Sequence, residues 1–201
     1  MQSRRVIIRS QKRLFDDVFK IDEVIVAHQR HDGTMSGEER RLIFERGDGV
    51  AVLLFNVDTR SVVLVEQFRV ASLIGRRRDD PAATDGWMIE AMAGTIDPHE
   101  TAEQAAIRET LEETGYKIEH PTFIAKFFPS PGGTSERIFV FFARVSDAER
   151  PGRGCGIDDE DIGIVQMSIE ELFDRLAQGL IDDAKLAIAA YWLQSHRELL
   201  G

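Results

Sequence analysis

One stretch constrains this chain more than any other: Gly94-Thr-Ile-Asp-Pro-His-Glu100-Thr-Ala-Glu-Gln-Ala-Ala-Ile-Arg108-Glu109-Thr-Leu-Glu112-Glu113-Thr-Gly115-Tyr116. It reads as a loop followed by a short acidic helix. Thr101 is a natural N-cap, and Gln104 three residues later completes a capping box. Gly115 is a natural stop, because glycine enters the left-handed conformation at no steric cost. Between them lie about thirteen helical positions. Glu109 and Glu113 are four apart and Glu112 is three from Glu109, which gathers the carboxylates along one side of the last turns.

Such clustering is costly for a purely structural helix. Like charges at i,i+4 destabilise by about 0.2–0.5 kcal/mol when solvated, and carboxylates oppose the dipole at a helix C-terminus. Partly buried and about 5 Å apart, each pair would repel by roughly 3 kcal/mol at an effective dielectric of about 20. A divalent cation relieves that repulsion, and hard oxygen ligands suit magnesium or manganese. The bland alternative is a solvated acidic face on which Arg108 pairs with Glu112.

The surroundings decide between the two. The stretch resembles, position by position, the signature of the Nudix hydrolases: Gly, five residues, Glu, seven residues, Arg-Glu, two residues, Glu-Glu, one residue, Gly. Gly94, Glu100, Arg108, Glu109, Glu112, Glu113 and Gly115 fill all seven fixed positions. At residue frequencies near 7%, that is about a one-in-10⁸ coincidence. Thr110 and Tyr116 stand where the family usually has aliphatic residues, although each keeps an apolar part.

The rest of the chain bounds the setting. With 201 residues it suits one domain, or one domain with an appendage. A formal net charge of −10 disfavours wholesale binding to nucleic acid or to an anionic membrane. The single cysteine, Cys155, forbids an intramolecular disulfide and fits a reducing, cytoplasmic setting. No signal-peptide pattern opens the chain, and no apolar window is long enough to span a bilayer.

Taken in order, residues 4–30 alternate loosely between apolar and polar and read as two or three strands, His31-Asp-Gly33 as a turn, and Arg40–Arg46 as a returning strand. This β-rich segment, residues 1–46, has little core of its own, which makes pairing with a second subunit plausible. Residues 47–201 form the hydrolase domain. Gly49–Asn56 and Ser61–Arg69 are β-branched-rich strands, Gly75–Gly86 is a polar loop carrying three arginines, and Trp87–Ala93 is a strand leading into the signature. His120–Phe128 and Arg137–Val145 are strands around the loop Pro129–Glu136. A glycine-rich segment then enters the acidic run Asp158-Asp-Glu-Asp161 and a strand at Ile162–Val165. Ser168-Ile-Glu-Glu171 is a capping box opening a helix to about Gly179, and Asp183–Leu200 is the last helix. The pattern predicts an α+β fold, which the resemblance makes a mixed α/β/α sandwich with an N-terminal antiparallel β-meander.

The resemblance also implies a chemistry: Mg²⁺-dependent hydrolysis of a nucleoside diphosphate linked to another moiety, with Mn²⁺ as the alternative metal. From Arg46 to Leu193 the chain is similar to the ADP-ribose and GDP-mannose pyrophosphatases, through Arg46-Gly-Asp-Gly49, Glu66-Gln-Phe-Arg69, Glu90-Ala-Met-Ala-Gly94, Ser130-Pro-Gly-Gly133 and Gly156-Ile-Asp-Asp-Glu-Asp-Ile162. By that likeness the Ala93 carbonyl, Glu109 and Glu113 hold metal, with Glu112 nearby. Glu160 serves a metal or the catalytic water, and Glu112 and Glu160 are the catalytic candidates. Arg69, Glu136 and Lys185 match positions that contact the nucleotide or its phosphates. Gly94, Glu100, Arg108 and Gly115 are structural parts of the signature. The implied assembly is a homodimer through the N-terminal strands. Glu38-Glu-Arg-Arg-Leu42 and Val18-Phe19 do not reproduce the base-contacting residues of the GDP-mannose branch, so the base stays open. The alternatives are a house-cleaning hydrolase of another nucleotide and a non-catalytic nucleotide-sugar sensor; a sensor often loses signature acids, and this chain keeps them all.

Overall fold

The structure is a computed structural model that describes residues 4–150, 152 and 161–201. It divides into two compact units, Met1–Asp48 with Phe128–Arg137, and Gly49–Phe127 with Ile138–Gly201.

The first unit is a three-stranded antiparallel sheet: β1 (Val6–Asp16), β2 (Lys20–His28) and β3 (Glu39–Glu45), in that order. Two register shifts interrupt β1 against β2, between Ile8 and Ser10 and between Arg13 and Phe15. Such bulges sharpen twist and bend a strand. Polar residues fall on both faces, so Ala27 is the one buried apolar side chain of these strands, while Val6, Ile8, Leu14, Phe15, Val18, Phe19 and Leu42 stay exposed. Asp22 is buried and paired to Arg13. The Phe128–Arg137 segment joins this unit through the Phe44 N–H, which donates to the Gly133 carbonyl at 2.8 Å.

The second unit holds β4 (Gly49–Asn56), β5 (Ser61–Phe68), α1 (Val70–Arg76), β6 (Trp87–Glu90), β7 (Met92–Thr95), α2 (Ala102–Thr114), β8 (Thr122–Phe127), β9 (Ile138–Val145), β10 (Gly163–Ser168), α3 (Ile169–Ala177) and α4 (Ala184–Ser195). Its sheet runs β10-β5-β4-β9-β8, with β6 paired to β5 and β7 to β4. β4 and β9 run parallel and the other pairs antiparallel, which makes a mixed sheet. Every residue of β4 is buried, as an unbroken apolar run requires of a strand covered on both faces. One face carries Leu53, Phe55 and Leu64 against Leu172 and Phe173 of α3 and Leu186, Ala189 and Leu193 of α4. The other carries Val50, Val52 and Val63 against Ala105 and Ala106 of α2 and against Tyr116. The sandwich expected from the pattern is therefore the observed fold.

Three local readings are corrected. A short helix, α1, follows Arg69, in a stretch to which the sequence reading assigned no element. The loop read as Gly75–Gly86 gives its first two residues to that helix, and side chains brace the rest: Arg76 pairs with Asp85 at 2.9 Å and Asp182 at 3.2 Å, and Arg77 donates to the Ala83 carbonyl at 2.9 Å. The single strand Trp87–Ala93 is two strands broken at Ala91, because its first half pairs with β5 and its second with β4.

The two unusual signature positions are accommodated by hydrogen bonds. Thr110 is fully buried, and its hydroxyl donates to the Ala106 carbonyl at 2.6 Å. Tyr116 is also fully buried; its hydroxyl accepts from Asn56 Nδ2 at 3.0 Å and donates to Asp147 Oδ1 at 2.9 Å. Arg150 lies over the Tyr116 ring and donates to the Thr114 carbonyl at 3.2 Å, a cation at a helix C-terminus that otherwise collects acids. Tyr116→Phe is expected to cost about 1 kcal/mol, since Asn56 and Asp147 still bond each other at 2.7 Å. Calorimetry should show Tm lowered by roughly 2–4 °C.

Candidate active site

α2 begins and ends where its caps dictate. Thr101 Oγ1 accepts the Gln104 N–H at 3.2 Å, and the Gln104 side chain accepts the Thr101 N–H at 2.8 Å. Gly115 takes φ 74° and returns its N–H to the Leu111 carbonyl. These caps fix the rotation of the helix, and with it the direction of Arg108, Glu109, Glu112 and Glu113.

Arg108 ties the preceding loop to the helix. Its Nε and Nη2 form a two-pronged bond to Glu100 at 3.0 and 2.9 Å, and Nη2 also reaches the Thr95 carbonyl at 3.0 Å. Nη1 bonds Glu109 at 2.8 Å and Glu112 at 3.0 Å. One guanidinium thus offsets part of the repulsion among three acids, so the Arg108–Glu112 pair and the acid cluster exist together. The Glu100 bond drives the Arg108 pKa further above its already high value and holds the Glu100 carboxyl below the usual range.

Glu109 and Glu113 both lie against β7. A Cβ built on Gly94 would sit 1.9 Å from the Glu109 carboxyl carbon, so only glycine lets that carboxylate come so close to the strand. Glu113, 5% exposed, accepts the Ala93 N–H through Oε2 at 3.3 Å. Among the described residues, no group of three or more His, Cys, Asp or Glu side chains converges in metal-ligating geometry. The donors gathered at Ala93–Gly94 are all oxygen, which is the set that suits a hard divalent cation.

A second cluster stands beside the first. Arg69, just ahead of α1, bonds Glu90 through Nε at 2.6 Å and Nη2 at 3.4 Å. Lys185, in the first turn of α4, reaches the same carboxylate at 3.1 Å and Asp183 at 2.7 Å. Burial pushes the Glu90 carboxyl up, but its bond to Arg69 and the charge of Lys185 outweigh this and hold it below the usual range. Burial likewise disfavours the Lys185 ammonium, and the Asp183 and Glu90 charges more than restore it. The charge of Glu113 acts on Arg69, so the two clusters share one electrostatic environment. Glu90 and Asp183 escaped the sequence reading as site residues. The available signal was a carboxylate inside the apolar run Met88–Ala93, and an aspartate at a helix start.

Glu136 belongs to the first unit, where it pairs with Arg46 at 3.4 Å. Glu160 falls outside the described residues. A cavity of about 480 Å³ in the second unit is lined by Arg76, Trp87, Ile89, Arg175 and Leu186, among others, and not by the signature acids.

A model of the NUDIX domain matches residues 45–188. This chain belongs to the Nudix family. A GDP-mannose pyrophosphatase of Cronobacter sakazakii is 35% identical to this Nudix chain over 96% of both sequences. An ADP-ribose pyrophosphatase of Escherichia coli strain K12 is also 35% identical, over 97% of this chain and 90% of that one. A crystal structure described as an ADP compounds hydrolase superposes with a TM-score of 0.66 over 98% of both chains at 18% identity, which supports the Nudix fold. Among the described residues, no helix is long and apolar enough to cross a membrane.

Proposed function

We propose that this Nudix enzyme hydrolyses the pyrophosphate of a nucleoside diphosphate sugar of the ADP-ribose or GDP-mannose type, giving a nucleoside monophosphate and a sugar phosphate. The observation that carries the reading is the meeting of two clusters in one unit. Glu109 and Glu113 are drawn onto β7 at Ala93–Gly94, and Arg69 and Lys185 are held on Glu90. Full-length similarity to pyrophosphatases of both substrate types supports it.

In this reading the Ala93 carbonyl, Glu109 and Glu113 hold Mg²⁺, with Glu112 nearby. When bound, the ion screens the pyrophosphate oxygens and polarises phosphorus toward attack. Arg69 and Lys185 supply N–H donors to the phosphates and hold the scissile linkage in place, and Glu136 contacts the nucleotide. Glu160 or Glu112 accepts a proton from the attacking water; the new P–O bond forms as the bridging P–O bond breaks, and the departing phosphate leaves as the second monoester. Arg108 and Glu100 keep the Thr95–Glu100 loop on the helix. The exposed apolar side chains of the N-terminal sheet support a homodimer formed through it, and the single cysteine supports a cytoplasmic setting.

A product-resolved assay of ADP-ribose and GDP-mannose with Mg²⁺, and then with Mn²⁺, tests this reading. Metal-dependent release of a nucleoside monophosphate and a sugar phosphate from at least one substrate is the expected result. Tight calorimetric binding of either without turnover would instead favour a sensor and overturn the reading.

A further inference from the structure

We infer that Glu90 is a positioning residue for substrate recognition: one buried carboxylate that sets the separation and direction of the Arg69 guanidinium and the Lys185 ammonium. The inference rests on the pyrophosphatase reading and deepens it. Glu90 ends β6 and is 4% exposed. It receives one cation from 21 residues before it in sequence and another from 95 residues after it. Its Oε1 takes Arg69 Nε, and its Oε2 takes both Arg69 Nη2 and Lys185 Nζ. Long basic side chains lose much rotamer freedom on binding an anion, and a pair already held by internal bonds has lost it beforehand.

Asp183 completes the device. Its Oδ2 accepts the N–H of Ala91, the residue at the break between β6 and β7, at 3.1 Å and that of Leu186 at 3.2 Å. Its Oδ1 accepts the Lys185 backbone N–H at 3.2 Å and the Lys185 ammonium at 2.7 Å. The start of α4, the Lys185 side chain and the strand break two residues before Ala93 are therefore fixed by one carboxylate. Two acids balance two bases, so the cluster is close to neutral as a whole. Arg69 keeps 45% of its side chain exposed, and Lys185 keeps 19%. The cluster then offers oriented N–H donors more than net positive charge, which suits a ligand that carries its own counter-ion.

The charge and both oxygens of Glu90 matter to this arrangement. In Glu90→Gln one oxygen becomes an NH₂ group, which cannot accept from either base, so the guanidinium and the ammonium can no longer share the site. Binding that is uniform between ground and transition states is lost as KM. For wild type and Glu90→Gln, steady-state kinetics on the better of ADP-ribose and GDP-mannose should show KM raised about tenfold, with kcat changed less than about threefold. The same substitution made in an Arg69→Gln/Lys185→Gln background should raise KM less than about twofold, because residues that act through one another are not additive. An unchanged KM in Glu90→Gln overturns the inference, and so does a full tenfold rise in the double-variant background. Should Glu90→Gln fail to fold, Glu90→Asp keeps the charge, shortens the reach, and goes through the same cycle with the same expectation. A wild-type protein that hydrolyses neither substrate overturns the pyrophosphatase reading and this inference with it. An active wild type with additive variants overturns the inference alone.

Discussion

Glu113→Gln should lower kcat by at least about a hundredfold while leaving the fold in place. The two halves of that expectation come from different atoms of one side chain. Structurally, Glu113 is buried and offers Oε2 to the Ala93 N–H, a bond that an amide oxygen reproduces. Chemically, the substitution replaces an anionic oxygen donor with a neutral amide, at a position proposed to hold a divalent cation. The variant should keep its circular dichroism spectrum and melt within a few degrees of wild type. Raising Mg²⁺ should recover part of the rate if the loss lies in metal affinity. Turnover equal to wild type would sink the assignment of the α2 acids to the reaction.

Gly94→Ala should separate activity from stability even more sharply. The added methyl would fall 1.9 Å from the Glu109 carboxyl carbon and 2.2–2.3 Å from its oxygens, so that carboxylate must move. The atoms displaced are the far end of a flexible side chain, and Gly94 holds no left-handed backbone angle that alanine would strain. The folding cost should therefore stay below about 1 kcal/mol. A displacement of an ångström or more at a carboxylate proposed to hold the metal should cost about a hundredfold in rate, and that is the fall expected in kcat/KM. Thermal unfolding beside steady-state kinetics checks both parts. A variant that unfolds instead would assign Gly94 to packing, and one that keeps full activity would remove Glu109 from the site.

How much of this was legible beforehand depended on the range of the forces involved. α2 could be read residue by residue, because Thr101, Gln104 and Gly115 act within one turn of themselves. β4 and β5 were legible as runs of β-branched residues. α1 was not: its N-cap position is Arg69, which makes no side-chain capping bond, its first turn holds no acid, and none of its residues is buried. The break at Ala91 was hidden for another reason. Nothing in Trp87–Thr95 marks it, since it arises where two different partner strands hand over. The Glu90 cluster joins segments that neither composition nor periodicity connects. Arg69 and Lys185 were found singly, through likeness to a family, and the carboxylate that joins them appears only once β6, α4 and the approach to α1 are folded.

The pairing of β4 also governs how the protein is made. One edge of β4 is shared by β5 and β7, which follow it closely in the chain. The other edge belongs along its whole length to β9, which lies about ninety residues downstream, and non-local pairings of that kind fold slowly. At roughly 5–20 residues per second, a ribosome needs on the order of ten seconds to deliver β9 after β4 has emerged. Through that interval a strand that is buried along its whole length in the finished fold has a vacant hydrogen-bonding edge in a crowded cell. The most hazardous moment in the life of this chain thus comes before the signature helix has a finished sheet to lie on.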